Sequence, residues 1–216
     1  MHAPRHHASV HTTHTQVGLR HFEVLPSTFE ETLDKGAFPT GAAYAVATAR
    51  AKAAQVAACV RAGDSTRQAL ILAADTVVQA ADGSILEKPD GEGDAARMLA
   101  SLAGTTHAVH TGVSLVVLPA AVAAGDGGEE ATTAPRATFV EFSETTAVTF
   151  APLSAAEIDA YVATGEADGK AGAYGIQGAA GAWVSRLEGC YFNVVGLPLH
   201  AVGREVAALV AAGVLV

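Results

Sequence analysis

Three groups of residues have types and spacings that could bind or transform an anionic ligand. The first is Ser27–Thr32, which contains two adjacent glutamates. The second pairs Ala74–Thr76, where an aspartate interrupts an apolar run, with Glu87–Pro89 after a turn. The third is Gly169–Gly178, a glycine-rich segment with one lysine and one glutamine. Carboxylates, ammonium groups and an amide are therefore the chemistry that the rest of the chain has to position.

Asp75 lies in an apolar setting, between Leu70–Ala74 and Val77–Val78. Aspartate is rarely buried unless it is paired. One interpretation is a carboxylate that caps a neighbouring loop at the end of a strand. The other is a metal ligand or general base, because open α/β sheets place ligands at the carboxyl ends of strands.

Lysine is rare in this chain, which has only Lys35, Lys52, Lys88 and Lys170. Solvent exposure is the ordinary interpretation of any one of them. Lys88 and Lys170 nevertheless lie within the groups above, and Lys52 lies in an alanine-rich segment that follows Glu31. Carboxylates hold Mg²⁺ and ammonium groups neutralise phosphate oxygens. The combination predicts a site for a divalent metal and a polyphosphate.

The glycine-rich segment does not have the spacing of a Walker phosphate-binding loop. Its Tyr174 offers an aromatic face, and its Gln177 offers an amide with both a donor and an acceptor. These groups suit the face and the edge of a nucleobase. The alternatives are a flexible connecting loop and, for Gln177, an amide that only bridges backbone groups of the loop.

Alternating patterns from Phe22 onward predict an α/β protein with one sheet. Helices are predicted at Ala42–Ala58, from a cap at Asp94 to Gly104, after a capping box at Ser154–Glu157, and at Leu199–Ala212. Strands are predicted at Phe22–Leu25, Gln68–Gln79, Ser84–Leu86, Val113–Leu118, Thr138–Phe150, Ala182–Leu187 and Tyr191–Val195. A surface insertion is predicted at about 120–136, which is rich in glycine, proline and acidic residues.

Composition excludes some classes of protein. With 22 acidic against 13 basic residues the net charge is −9, which disfavours binding to duplex nucleic acid. Proline or charged residues interrupt the longest apolar runs, so we expect no membrane span. The two cysteines, Cys59 and Cys190, are too few for a disulfide framework. They fit a reducing compartment, and we expect a cytoplasmic protein.

Residues 1–21 differ from the rest of the chain, because they contain six of its nine histidines and no acidic residue. His7, His11 and His14 would share one face of a helix and could bind a metal. This segment has no helical apolar period, however. We therefore interpret it as a disordered segment or a misassigned start, and we place the folded domain at 22–216.

Five segments closely resemble the signature motifs of the Maf (septum-formation) family of nucleoside triphosphate pyrophosphatases, in the family's order and approximate spacing. They are Leu72–Val78, Glu87–Pro89, Thr106–Val113, Gly169–Gly178 and Asn193–Pro198. The resemblance extends from about Phe22 to the C-terminus, apart from the insertion. It implies an elongated, twisted mixed sheet flanked by helices with a central cleft, a fold related to that of inosine triphosphatases.

The resemblance also implies roles for individual residues. Asp75 matches the family's proton acceptor, and Glu31, Lys52 and Lys88 match its other catalytic positions, with Glu31 and Asp75 as metal ligands. The substrate-binding residues would be Thr76, Tyr174, Lys170 and Gln177, and Thr76 and Gln177 match positions associated with base choice. The implied reaction converts dTTP or UTP to the monophosphate and diphosphate. The implied cofactor is Mg²⁺, with Mn²⁺ or Co²⁺ as substitutes, and the implied assembly is a homodimer.

The N-terminus departs from the family pattern, which opens with an apolar strand and a Ser-x-Ser-Pro-Arg-Arg loop. The expected position of that loop, near His7–Thr12, contains no arginine. Two classes of function therefore stay open: an active pyrophosphatase, and a catalytically impaired protein that binds a nucleotide or a partner. An inosine/xanthosine triphosphate pyrophosphatase is a third possibility, but Leu72–Val78 and Gly169–Gly178 speak against it.

Overall fold

A computed structural model describes residues 22–63, 66–120 and 136–215 of the chain. The helices are α1 (Gly41–Ala62), α2 (Glu92–Leu102), α3 (Ala155–Val162), α4 (Tyr191–Val195) and α5 (Leu199–Ala211). The strands are β1 (Ala69–Gln79), β2 (Ile85–Leu86), β3 (Thr106–Leu118), β4 (Thr138–Phe150) and β5 (Val184–Glu188). Short 3₁₀ turns cover Lys35–Ala37, Ala171–Ala173 and Ala179–Trp183.

The five strands form one open sheet in the order β2-β1-β3-β4-β5. All four pairings among the described residues are antiparallel, whereas the family resemblance implied a mixed sheet. A tight turn explains the antiparallel β1–β2 pair, because Asp82 accepts from the backbone of Ser84 and Gly83 adopts a φ of 87°. The α/β class, with one sheet flanked by helices, is confirmed.

The sheet separates two apolar layers. Helix α1 covers one face, where its alanines pack against alternate residues of β1 and β3 such as Ile71 and Val116. Helix α5 packs on the opposite face at Val113 and Leu115. Helices α2 and α3 extend that second layer around Phe150 and Val109. In the described parts of the chain, no helix has both the length and the apolar character needed to cross a membrane.

Most predicted elements are found, and some are longer than predicted. Helix α1 extends the prediction by several residues, and β3 begins at Thr106 rather than Val113. The capping box at Ser154 and Glu157 forms as predicted. Residues 1–21 and 121–135, and with them the histidine-rich segment and most of the expected insertion, lie outside the described residues.

Three local predictions are wrong. Tyr191–Val195 is a helix rather than a strand, because buried Asn193 anchors it to β3 and β4 and Gly196 ends it with a φ of 117°. Phe22–Leu25 is an extended coil without a strand partner in the described parts of the chain. Helix α2 begins at Glu92, so Asp94 lies in its first turn, where it accepts from the backbone N–H of Asp90.

Candidate active site

Four predicted residues form a continuous chain of alternating charge, which we call the charge chain. Lys52 Nζ lies 2.7 Å from Asp75 Oδ1 and 2.8 Å from Glu31 Oε1. Lys88 Nζ lies 3.0 Å from the same Glu31 oxygen. The order is thus Asp75, Lys52, Glu31, Lys88, and it runs from the buried Asp75 to the exposed Lys88.

Four separate elements supply the charge chain. Asp75 lies on β1, Lys52 on α1, Glu31 on the coil before α1, and Lys88 on the loop after β2. The coil is tied to α1 by the side chain of Gln55, which accepts from the backbone N–H of Thr28 at 2.8 Å. This bond places the coil beside α1, three residues before Glu31.

The alanine content of α1 has a structural reason at this site. Gly112 on β3 lies directly opposite Asp75 in the sheet. A Cβ atom at Gly112 would lie 2.2 Å from the backbone nitrogen of Val46, so α1 touches the sheet there, backbone against backbone. Ala45, Ala49 and Ala53 are fully buried along the same side of the helix. This close packing brings Lys52 within reach of Asp75.

Burial and neighbouring charges shift the pKa values of Asp75, Lys52 and Glu31 in opposite directions. Burial raises the pKa of Asp75, although the Lys52 ammonium opposes the rise. Burial alone would lower the pKa of Lys52, but Asp75 and Glu31 outweigh it and raise that pKa. Burial would likewise raise the pKa of Glu31, but Lys52 and Lys88 outweigh it and lower that pKa. Asp75 is therefore a stronger base than an ordinary aspartate, next to a protonated lysine.

A second polar group, which the sequence analysis missed, lies beside the charge chain. Tyr44 of α1 is fully buried and donates its hydroxyl to Glu87 Oε1 at 2.7 Å. Lys35 forms an ion pair with the other oxygen of Glu87. Burial, followed by the charge of Glu87, raises the pKa of Tyr44. The only signal in the sequence was a single tyrosine in an alanine-rich helix.

A pocket of about 510 Å³ lies on the opposite face of β1. This volume falls within the range of small-molecule sites. Five predicted residues line the pocket, namely Thr76, Lys88, Lys170, Tyr174 and Gln177. Glu166, Asp168 and the segment 194–196 also line it. None of them was a predicted site residue, although 194–196 lies within the Asn193–Pro198 motif.

The pocket and the charge chain meet at Lys88, beside Asp75 and Thr76 of β1. Successive side chains of a strand point to opposite faces, so Asp75 faces α1 while Thr76 faces the pocket. Lys88 belongs to both sites, because its Nζ lies 3.0 Å from Glu31 and its side chain also lines the pocket. A ligand that contacts Lys88 can therefore reach both.

The glycine-rich segment forms one wall of the pocket. Gly172 has a φ of 67°, and a Cβ atom there would lie 2.7 Å from Val78 Cγ2. Glu166 holds the far end of the segment, because its carboxylate accepts from the backbone N–H of Ala179 at 3.0 Å. Lys170 donates to the backbone oxygen of Glu166. Gln177 is exposed at the pocket.

Tyr174 lines the pocket and also connects the glycine-rich segment to the sheet. The residue is only 5% exposed, and its ring makes T-shaped contacts with Phe150 and His107. Its hydroxyl lies 2.8 Å from His107 Nε2, and burial lowers the pKa of His107 to about 4. Tyr174 therefore anchors the glycine-rich segment, and its predicted contact with a base stays a prediction.

Comparisons with known proteins agree with this geometry. The sequence model of a family described as Maf-like protein matches residues 13–209. A dTTP/UTP pyrophosphatase of Moorella thermoacetica is 45% identical over 82% of this chain and 79% of its own length. One of Salinibacter ruber is 47% identical over 87% and 80%, and one of Koribacter versatilis is 43% identical over 85% and 81%. Because these matches extend over most of the sequence, the chain belongs to the Maf family.

Proposed function

We propose that this chain is a nucleoside triphosphate pyrophosphatase that hydrolyses dTTP and UTP to the monophosphate and diphosphate. The observation that carries the proposal is the junction at Lys88, where a pocket of nucleoside size meets the charge chain that ends at the buried carboxylate of Asp75. The relatives named dTTP/UTP pyrophosphatases support the same substrates. The base would occupy the pocket, and the triphosphate would extend past Lys88 toward Asp75.

Each member of the charge chain has a role in this proposal. Asp75 accepts a proton from the attacking water, whose oxygen bonds to the α-phosphorus while the bond to the diphosphate oxygen breaks. Lys88 has a side chain that is 56% exposed, so it can turn from Glu31 to the departing diphosphate. Lys52 keeps its charge between Asp75 and Glu31 and holds both carboxylates in place.

The donor set near Asp75 fits a hard divalent cation. Asp75 and Glu31 already share one cationic partner, Lys52, and carboxylate oxygens are the ligands that Mg²⁺ prefers. Among the described residues, no cluster of three or more His, Cys, Asp or Glu side chains could hold a metal. Two carboxylates suit a Mg²⁺ ion that arrives with the substrate phosphates. When bound, the ion would neutralise charge on the phosphate oxygens.

Removal of divalent metal should therefore abolish turnover without unfolding the protein. We expect EDTA to stop hydrolysis, and excess Mg²⁺, Mn²⁺ or Co²⁺ to restore it. The melting temperature should change little, because the carboxylates keep their lysine partners when no metal is present. Hydrolysis that continues undiminished in EDTA would contradict this prediction.

The proposed function is tested by measuring diphosphate release from dTTP, UTP, CTP, GTP and inosine triphosphate. The colorimetric phosphate assay is coupled to inorganic pyrophosphatase, and the monophosphate product is identified by chromatography. We expect dTTP and UTP to be the preferred substrates. Release of single phosphates, or a preference for inosine triphosphate, would reject the proposed reaction or its substrate class.

The pH dependence should show the raised pKa of Asp75. Because the carboxylate must be ionised to accept a proton, kcat/KM should fall as the pH decreases through the pKa of Asp75 in the folded protein. That midpoint should lie above about 3.9, the ordinary value for aspartate. In Lys52→Met the midpoint should move higher still, because the opposing ammonium is gone. A midpoint that does not move in this variant would assign the titration to another group or to the substrate.

The alternative of a catalytically impaired binding protein has less support. It rests on the missing Ser-x-Ser-Pro-Arg-Arg loop, whose expected position lies outside the described residues. The charge chain and the names of the relatives both support turnover. We also propose a homodimer, as the family resemblance implies, and light scattering would test it. A cytoplasmic location is proposed from the two cysteines, which are free thiols.

A further inference from the structure

Two threonine hydroxyls lie side by side beneath the pocket. Thr76 on β1 and Thr111 on β3 face each other in the sheet, and their Oγ1 atoms are 2.9 Å apart. Thr111 is fully buried, whereas Thr76 lines the pocket. The Oγ1 atom of Thr111 also lies 2.9 Å from the backbone oxygen of Asn193 on α4. The three groups form a relay that ends at the pocket wall.

The chemistry of the relay determines where its two protons lie. A carbonyl oxygen only accepts, so the single hydroxyl proton of Thr111 is donated to Asn193. Thr111 can then only accept from Thr76, and Thr76 must donate its own proton to Thr111. The Thr76 hydroxyl consequently faces the pocket as an acceptor.

The far end of the relay is fixed by the core. The side chain of Asn193 is fully buried, and its Nδ2 donates to the backbone oxygen of Val109 and to Thr146 Oγ1, both at 3.0 Å. Helix α4 is thereby tied to β3 and β4, so its carbonyl cannot turn away from Thr111 without breaking buried bonds. The fold therefore determines that Thr76 donates its proton to Thr111 and presents an acceptor to the pocket.

Pyrimidines differ in the group that would meet such an acceptor. Uracil and thymine carry a proton on N3, whereas cytosine presents a lone pair there. The amide of Gln177 carries both a donor and an acceptor, so its chemistry alone does not determine which of them meets the base. Thr76 is fixed as an acceptor while Thr111 accepts its proton.

We propose that Thr111 is a positioning residue that holds Thr76 as an acceptor and thereby makes the pocket select uracil and thymine over cytosine. The inference rests on the proposed function and deepens it, since it names the group that rejects CTP. Thr76 pairs with N3–H of the base, and Thr111 acts only through Thr76. With CTP, the acceptor Thr76 Oγ1 would face the lone pair on N3 of cytosine. The cost of opposing two acceptors predicts that kcat/KM for UTP exceeds that for CTP by about tenfold or more.

The test compares kcat/KM for UTP and CTP in Thr111→Val. With its acceptor removed, Thr76 can turn its proton toward the pocket, so the UTP/CTP ratio should fall about tenfold, toward one. Thr111→Ser keeps the hydroxyl and should keep the ratio. Thr106→Val is the matched control, because Thr106 lies on the same strand with its hydroxyl paired to Thr149 on an exposed surface. Its ratio should equal that of the wild type.

The UTP/CTP ratio is the decisive quantity, because Thr111→Val also removes one of the two donors to the Asn193 carbonyl, the other being the backbone N–H of Gly196, and should lower the melting temperature. Equal losses for UTP and CTP in Thr111→Val would overturn the inference while leaving the proposed function intact. If that variant does not fold, Thr76→Val decides, and it should lose more rate for UTP than for CTP. A wild-type chain that hydrolyses neither nucleotide would reject the proposed function and the inference with it.

Discussion

Asp75→Asn should lower kcat by about 10²–10⁴-fold without lowering the melting temperature. The substitution keeps the size and shape of the side chain but removes the group that accepts the proton. Lys52 retains Glu31 as a partner 2.8 Å away, so no charge in the core is left unpaired. Activity is expected to be lost, and the fold to be retained.

The expected stability follows from the direction of the pKa shift. Because the pKa of Asp75 is raised in the folded state, folding favours the protonated form. The stabilisation linked to that proton is present below the ordinary aspartate pKa and is lost as the pH rises through the raised value. At neutral pH the ionised Asp75 therefore costs stability, and asparagine resembles the uncharged form. The melting temperature should stay the same or rise.

Asp159→Asn serves as the control, because Asp159 is exposed on α3, an element that supplies no member of the charge chain. Its kcat and melting temperature should both match the wild type. Steady-state kinetics with UTP and thermal unfolding by circular dichroism measure the two quantities. If Asp75→Asn keeps more than about a tenth of the wild-type kcat, Asp75 is a structural residue and the proposed base is wrong.

The sequence predicts those parts of the site that local patterns determine. The apolar run around Asp75 predicts a strand, because its side chains pack in the apolar layers on both faces of the sheet. The alanines of α1 predict a helix, and their small side chains allow the close contact of that helix with Gly112. The glycines of Gly169–Gly178 predicted a loop that approaches a ligand, and that loop lines the pocket. In each of these cases the structural requirement restricts the residue type locally, so the residue type in turn predicts the structure.

Contacts between distant segments were not predictable in the same way. Tyr191–Val195 has the composition of a strand, but the buried bonds of Asn193 override it. The contacts of Tyr174 with Phe150 and His107, which anchor the glycine-rich segment, have no signal in the local sequence. The bond between Lys52 and Asp75, and the role of Glu166 at the glycine-rich segment, likewise depend on how the elements pack.

Gly112→Ala should destabilise the protein by about 3 kcal/mol or more and also abolish turnover. The added methyl group would lie 2.2 Å from Val46 N and 2.3 Å from Ala45 C, and neither backbone atom can rotate away as a side chain could. Helix α1 must therefore move off the sheet. Since α1 carries Lys52, that movement lengthens the 2.7 Å contact with Asp75 and breaks the charge chain.

Gly93→Ala is the matched control for this change. Gly93 lies in the first turn of α2, and a Cβ atom there would meet no neighbour within 4 Å. Alanine should stabilise that helix by about 0.5–1 kcal/mol and leave turnover unchanged. Urea unfolding gives both free energies, and kcat for UTP reports the geometry at Asp75. If Gly112→Ala unfolds at the same urea concentration as the wild type, α1 does not touch β3 at this point, and the sheet contact does not hold Lys52 at Asp75.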